Sequence, residues 1–407
     1  MQGQDGGSYR REVKAGIMMR RGVVAAVAGL ALATGGAVAA SGALAMAAPA
    51  AHSVHAAKAA LAAHAAQART STAEQAAPPG GPVPTGFRVA SMTFVSASEG
   101  WVLGTTRRCA HAPCTSVLRT TDGGRTWVGI PAPRFRMAGF SQAGGLSRLR
   151  FADGADGFAY GSQLWVTHNG GSSWHRVRQV PGYITDLEAS AGRVYAVSTN
   201  FKSGKQTVYS TPAARDSWRR VTGLPVARGY GSLGTITLHG TAAWIILGNR
   251  LFATQTGTTW VKESVRCPVN WGMSSAGAYS SQQISLLCVG LPALGSTEKA
   301  LYVSGDGGAH FRKVGAAPRG GDGGLLAEPT PRHVFIASAS AATWIYASTD
   351  GGRRWRTNLM LDDGGAGWND FGFTTATQGV GVEGNPVIGS HLWMTTNAGH
   401  TWHKVKF

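Results

Sequence analysis

From residue 85 onward, apolar and polar side chains alternate in short runs bounded by Gly, Asp, Asn and Ser, and no helical period appears. Alternation with a period of two is the mark of a strand with one buried face. The first unit predicts strands at 89–95, 100–104, 117–121 and 126–130. The second predicts them at 146–151, 157–161, 164–167 and 173–177, and the last at 370–375, 379–383, 392–396 and 401–407. Each unit therefore reads as four short antiparallel strands joined by turns.

The third and fourth strands of each unit are joined by an octet, Ser/Thr-x-Asp-x-Gly-x-x-Trp, cleanest at Ser348 to Trp355, where Asp350 holds the acid position. Its residue types suit a tight hairpin. The carboxylate accepts turn N–H groups, the Gly supplies a positive φ, and the Trp buries a large ring as the next strand opens. Thr120 to Trp127 repeats it with Asp122, and Ser304 to Phe311 keeps Asp306 but ends in Phe311. Asn169 replaces the acid in Thr167 to Trp174, and Asn397 does so in Thr395 to Trp402. Ala253 to Trp260 and Thr211 to Trp218 are more worn; the latter keeps the Trp but neither the Asp nor the Gly. Seven aromatic ends, 42 to 51 residues apart, are the signature of a repeat architecture. The expected fold is all-β, a seven-bladed β-propeller of four-stranded antiparallel blades over residues 85–407. An open solenoid would need capped end blades, which the pattern does not supply. The last repeat contributes four strands of its own, so closure is expected to rest on packing between blades.

The octets are Asp-box, or BNR, repeats. Together with Gly100-Trp101-Val102-Leu103-Gly104 and Asp156-Gly157-Phe158-Ala159-Tyr160-Gly161, they make the region resemble the photosystem II assembly-factor-like propellers of the sialidase superfamily. The resemblance implies the fold and an assembly or quality-control role. Asp-box propellers also include sialidases, xyloglucanase-type glycosidases and sortilin-type receptors, so fold does not fix activity.

Residues 1–84 differ in kind. Arg20-Arg21 precede an uncharged run from Gly22 to Ala51, with small-residue sites at Ala45-Met46-Ala47 and Ala48-Pro49-Ala50. Residues 1–50 thus read as an export signal, or as an uncleaved anchor that would keep the protein at a membrane. Residues 51–84, rich in Ala, Pro and Gly, read as a disordered linker. The expected location is secreted or in the cell envelope.

A meander places the turns between strands one and two, and between three and four, on one face. The longer connections then emerge on the other, where propellers commonly carry function. Those connections hold Arg107, Arg108, Arg134, Arg136, Arg228, Arg266 and Arg319, interleaved with Tyr230, Trp271 and Trp368. The chain carries 38 Lys and Arg against 20 Asp and Glu, a formal charge of +18. Such a surface attracts anions. Outside the membrane these are an acidic protein, an anionic wall polymer or lipid, rather than nucleic acid. Solubilising arginines would give the same composition.

Catalytic chemistry is sparse. Sialidases grip a carboxylate with an arginine triad, one member lying in an Arg-Ile-Pro type motif ahead of the first octet, and no such motif precedes Asp122. Glycosidases need two carboxylates roughly 5–10 Å apart. Asp186 and Glu188, two residues apart on one strand face, are the one weak candidate pair, and Asp370 opens the last inner strand. Cys109 and Cys114 share a loop, and Cys267 and Cys288 lie in the fifth repeat, which suits two disulfides in an exported chain. Cys109-x-His111-x-x-Cys114 offers metal ligands but lacks a fourth. No cofactor or metal motif is found. The expected function is a monomeric, non-catalytic scaffold that binds a protein or an anionic envelope component. The alternative is a glycan-acting hydrolase of the sialidase or xyloglucanase-like type.

Overall fold

A computed structural model describes residues 80–106, 114–138, 144–228, 233–386 and 389–407. The signal or anchor segment, and the linker up to residue 79, lie outside the described residues. Seven antiparallel sheets follow one another along the chain. Their first, innermost strands are Phe87–Phe94, Leu146–Phe151, Tyr183–Ser190, Thr235–His239, Gly272–Ala278, Asp322–Ala327 and Trp368–Phe373. Each packs beside the next, and the first packs beside the seventh blade, so the ring is closed.

Each blade is built from one continuous stretch of sequence. The seam between blades 7 and 1 is accordingly a side-chain seam: Val89, Met92, Leu118 and Trp127 pack with Val380, Val382, Leu392 and Met394. Phe407 adds its ring against Phe87 and Trp127 at centroid distances of 5.1 and 5.5 Å. Gly81, in the stretch read as linker, exchanges two 2.8 Å hydrogen bonds with Gly129 in the outer strand of blade 1. Blade 3 departs from the pattern. Its third strand, Lys205–Pro212, pairs with Arg219–Arg220 at one end and with Ala227–Arg228 at the other, so the fourth strand comes in two pieces.

The octets form the expected turns. Asp122 Oδ1 accepts the N–H groups of Arg125 and Thr126 at 3.0 and 2.9 Å, and Oδ2 accepts the Thr126 hydroxyl at 2.6 Å. That hydroxyl, then the turn N–H of Thr126, holds the Asp122 pKa down at about 2. Asp350 repeats the arrangement with Arg353 and Arg354, and Asn169 and Asn397 accept the N–H four residues on. The first octet residue caps the turn from the other side, as where Ser348 Oγ accepts the Gly352 N–H at 2.8 Å. The indole N–H groups of Trp127 and Trp355 close back on Gly124 and Gly352. In the two worn copies, the indoles of Trp218 and Trp260 keep no such partner.

The octet glycine meets two demands at once. At Gly352 φ is +87°, and a Cβ there would sit 2.1 Å from Leu301 Cδ2 of the preceding blade. The turn therefore also locks adjacent blades together, a role that its local conformation alone does not reveal. Gly352→Ala should lower stability by about 2–4 kcal/mol through backbone strain and overpacking. Gly305→Ala, with open space around it and no positive φ, should be neutral or slightly stabilising in the same denaturant titration.

Candidate functional site

Two surfaces could carry function: the central channel and the face of long connections. The backbone separates the faces cleanly. Octet turns bond to the turn between strands one and two of their own blade: Gly123 N–H to Ser98, Gly170 to Ala155, Gly307 to Gln282, Gly351 to Arg332 and Ala398 to Thr377. The opposite face is tied together separately, as by Ser162 to Gly145, Thr297 to Arg319 and Gly384 to Gly367.

The channel is a cavity of about 560 Å³ lined by the inner strands. An innermost strand has one edge without a ladder partner, so its N–H groups must find other acceptors. Bulges interrupt six of the seven inner strands, and bulges re-aim the side chains that follow them. In three blades the next side chain reaches the neighbouring strand. Ser91 Oγ accepts the Leu149 N–H at 3.0 Å, Asp186 Oδ2 accepts Ile236 at 2.7 Å, and Asp370 Oδ2 accepts Met92 at 3.3 Å.

Arg150, from the inner strand of blade 2, is the hub. Its Nη1 and Nη2 donate to the two oxygens of Asp370, both at 2.9 Å, and its Nε donates to Glu188 Oε1 at 2.8 Å. Nη1 also donates to the carbonyls of Leu149 and Met92. One guanidinium thus joins blades 7, 1, 2 and 3. Burial works to raise the Asp370 pKa, but the charge and hydrogen bonds of Arg150 outweigh it and hold the group below its ordinary value. Burial pushes Asp186 and Glu188 up, with Arg150 pulling the other way. Glu328, buried just beyond the inner strand of blade 6, accepts from Gln283 Nε2 at 2.6 Å; burial lifts its pKa to about 7 against that bond.

The period-two pattern correctly put Asp186 and Glu188 on the channel wall. Their partners, Ile236 and Arg150, lie on other blades, and sequence reading missed both. Arg150 sits at an alternating strand position whose only sequence signal is a charge where a β-branched residue would suit.

On the face of long connections, Arg107, Arg108 and Tyr230 lie outside the described residues, as does the Cys109 partner of the proposed Cys109–Cys114 bridge. Arg134, Arg136 and Arg266 are exposed, with Arg136 Nε bonded to Gly144 O at 3.2 Å. Arg228 is exposed but belongs to a strand rather than a loop. Arg319 forms an ion pair with Glu298. The two tryptophans are half-buried: Trp271 covers Gly290, and Trp368 donates its indole N–H to Trp344 O at 2.9 Å. They pack blades together, because an apolar ring beside a glycine or an uncovered carbonyl finds better contacts there than in water. The Cys267–Cys288 disulfide forms, with a Cα–Cα distance of 5.7 Å, and fastens the connection into blade 5.

The sequence also gave no sign of Lys299. Its buried ammonium donates to the carbonyls of Pro318, Arg319, Gly320 and Gly321 at 2.6 to 3.3 Å and fixes the connection between blades 5 and 6. Nor did the alternation distinguish the large apolar side chains left in water on this face: Phe201, Leu233, Val269, Leu291 and Leu294.

The chain is a seven-bladed propeller with Asp-box turns on one face and its long connections on the other. Among solved structures it is similar to YCF48 bound to D1 peptide, with 18% identity over 77% of this chain and 95% of that one and a TM-score of 0.50. It is likewise similar to YCF48 from Cyanidioschyzon merolae, with 19% identity over 80% and 100% and a TM-score of 0.52. The Niastella koreensis GH74 enzyme aligns at 12% identity over 78% and 71%, with a TM-score of 0.28. No protein-family model and no curated protein matches the sequence.

Two outcomes test the channel. Arg150→Met strands the Asp370 carboxylate and should cost about 3–5 kcal/mol in an unfolding titration at pH 7. The second concerns pH. A carboxyl raised on folding contributes stability that is present below its unfolded value and lost as pH rises through its folded value. For Glu328 that window runs from its ordinary 4.5 to about 7. Glu328→Gln should therefore gain on the wild type by up to about 3 kcal/mol between pH 4.5 and pH 8, measured by denaturation at both ends.

Proposed function

We propose that the protein is an exported, non-catalytic scaffold that binds a protein segment on the face of its long connections. The observation that carries this reading is the exposed apolar set on that face. Val269 is 86% and Leu291 76% exposed, and Phe201, Leu233 and Leu294 add to them from blades 3 to 5. Apolar side chains interleaved with arginines, here Arg228 and Arg266, have the composition of a protein-binding surface. The positive charge favours an acidic partner or envelope component and speeds its encounter. Export rests on the apolar run after Arg20-Arg21. YCF48 bound to D1 peptide is a precedent for a peptide ligand on this architecture.

The channel argues against hydrolysis. A glycosidase needs one carboxyl to give a proton and a second to attack or activate water. Here Glu188 and Asp370 share one guanidinium, and Asp186 accepts two backbone N–H groups.

Photo-crosslinking in intact cells tests the reading. A crosslinker at position 269 or 291 should capture a defined protein. One at 360, also an exposed apolar position but on the outer strand of blade 6, should not. Val269→Asp with Leu291→Asp should reduce capture at least tenfold. Arg134→Glu with Arg136→Glu should weaken it and flatten its salt dependence. Equal capture from all three positions would sink the proposal. So would hydrolysis of sialosides or β-glucans by purified protein that Asp186→Asn abolishes.

A further inference from the structure

On the octet face, far in sequence from any metal motif, two histidines and two aspartates converge between blades 2 and 3. His168 is the second residue of the blade 2 octet, and His175 opens the strand after it. Asp216 comes from the worn octet of blade 3, whose acid position holds Ala213. Its side chain does not serve its own turn but faces blade 2. His168 Nε2 lies 3.5 Å from Asp216 Oδ2, and His175 Nε2 contacts the same oxygen. All three ligand atoms lie within 4.8 Å of one another. Behind them, Asp156, itself buried, binds His168 Nδ1 at 2.7 Å.

We propose that His168, His175 and Asp216 form a binding site for a divalent transition ion, zinc foremost. Three features point there. A carboxylate on Nδ1 holds that nitrogen in the N–H form and aims the Nε2 lone pair at the cluster, the arrangement that orients metal-bound histidines. The His168 Nε2 lone pair and Asp216 Oδ2 are then two acceptors facing each other at 3.5 Å, and a single cation between them satisfies both. The second oxygen of Asp216 is also buried and has no hydrogen-bond partner. Two nitrogens and one oxygen suit zinc and its borderline neighbours better than magnesium or calcium. Zinc at about 2.0–2.2 Å from each ligand would bring the ligand atoms to roughly 3–3.5 Å apart. Rotation of His175, half exposed at the surface, provides that closure. A three-ligand set leaves a fourth position for water or a partner's side chain. The ion would fasten blade 3 to blade 2 where the octet has lost its own carboxylate and glycine.

Untagged full-length protein, stripped with chelator, tests this by zinc titration calorimetry, elemental analysis and the visible spectrum of the cobalt form. Wild type should bind one ion per chain and give cobalt d–d bands. His175→Gln and Asp216→Asn should each weaken binding at least 100-fold. Asp156→Asn, which leaves the three ligands in place, should weaken it about 10–100-fold. His310→Ala, which removes the exposed histidine paired with Asp306 in blade 5, should change nothing. Folded wild type that binds no zinc at 100-micromolar levels overturns the proposal, as does full-strength binding by His175→Gln.

Discussion

The fold turns on a problem at its centre. Seven innermost strands each present an unpaired edge to the channel, and a backbone N–H denied a partner there would cost as much as a lost hydrogen bond. The protein answers with side chains from the adjacent blade. Ser91, Asp186 and Asp370, each set just past a bulge, accept the stranded N–H groups of the next strand. Arg150 then pairs with two of the nearby carboxylates, Asp370 and Glu188. Carboxylates that could look like an acid–base pair are thereby part of how the ring is held in register.

The outer part of the ring relies on different forces. Octet turns hold their own hairpins with hydrogen bonds, and their glycines let the preceding blade approach at van der Waals distance. Stacked rings, such as Trp101 on Phe151 at 3.9 Å, fill the space between blades. Polar contacts thus dominate near the axis, and apolar burial dominates farther out.

Blade number, strand order and the separation of the two faces were legible in the sequence, because a large aromatic ring every 42 to 51 residues and a period of two are local signals. So was the shared face of Asp186 and Glu188. What those carboxylates bond to was not legible. Arg150 and Asp370 are 220 residues apart, and no spacing rule joins positions on different blades. Trp271 and Trp368 were read as face residues from their place in connections, yet packing draws both inward. Arg228 was read as a loop residue, yet the divided outer strand of blade 3 takes it up. His168, His175 and Asp216 escaped notice for the same reason as Arg150: they meet only when two blades are laid side by side.

The seam between the last blade and the first carries no strand pairing: every sheet is drawn from one unbroken stretch of chain, and side chains make the join, by packing and by bonds such as that of Asp370 to Met92. The order in which the blades are written is therefore separable from the order in which they stand. Linking the first described strand to the last and opening the chain at any other crossover would rearrange connectivity without breaking a single ladder. In topological terms the ring of blades has no privileged starting point.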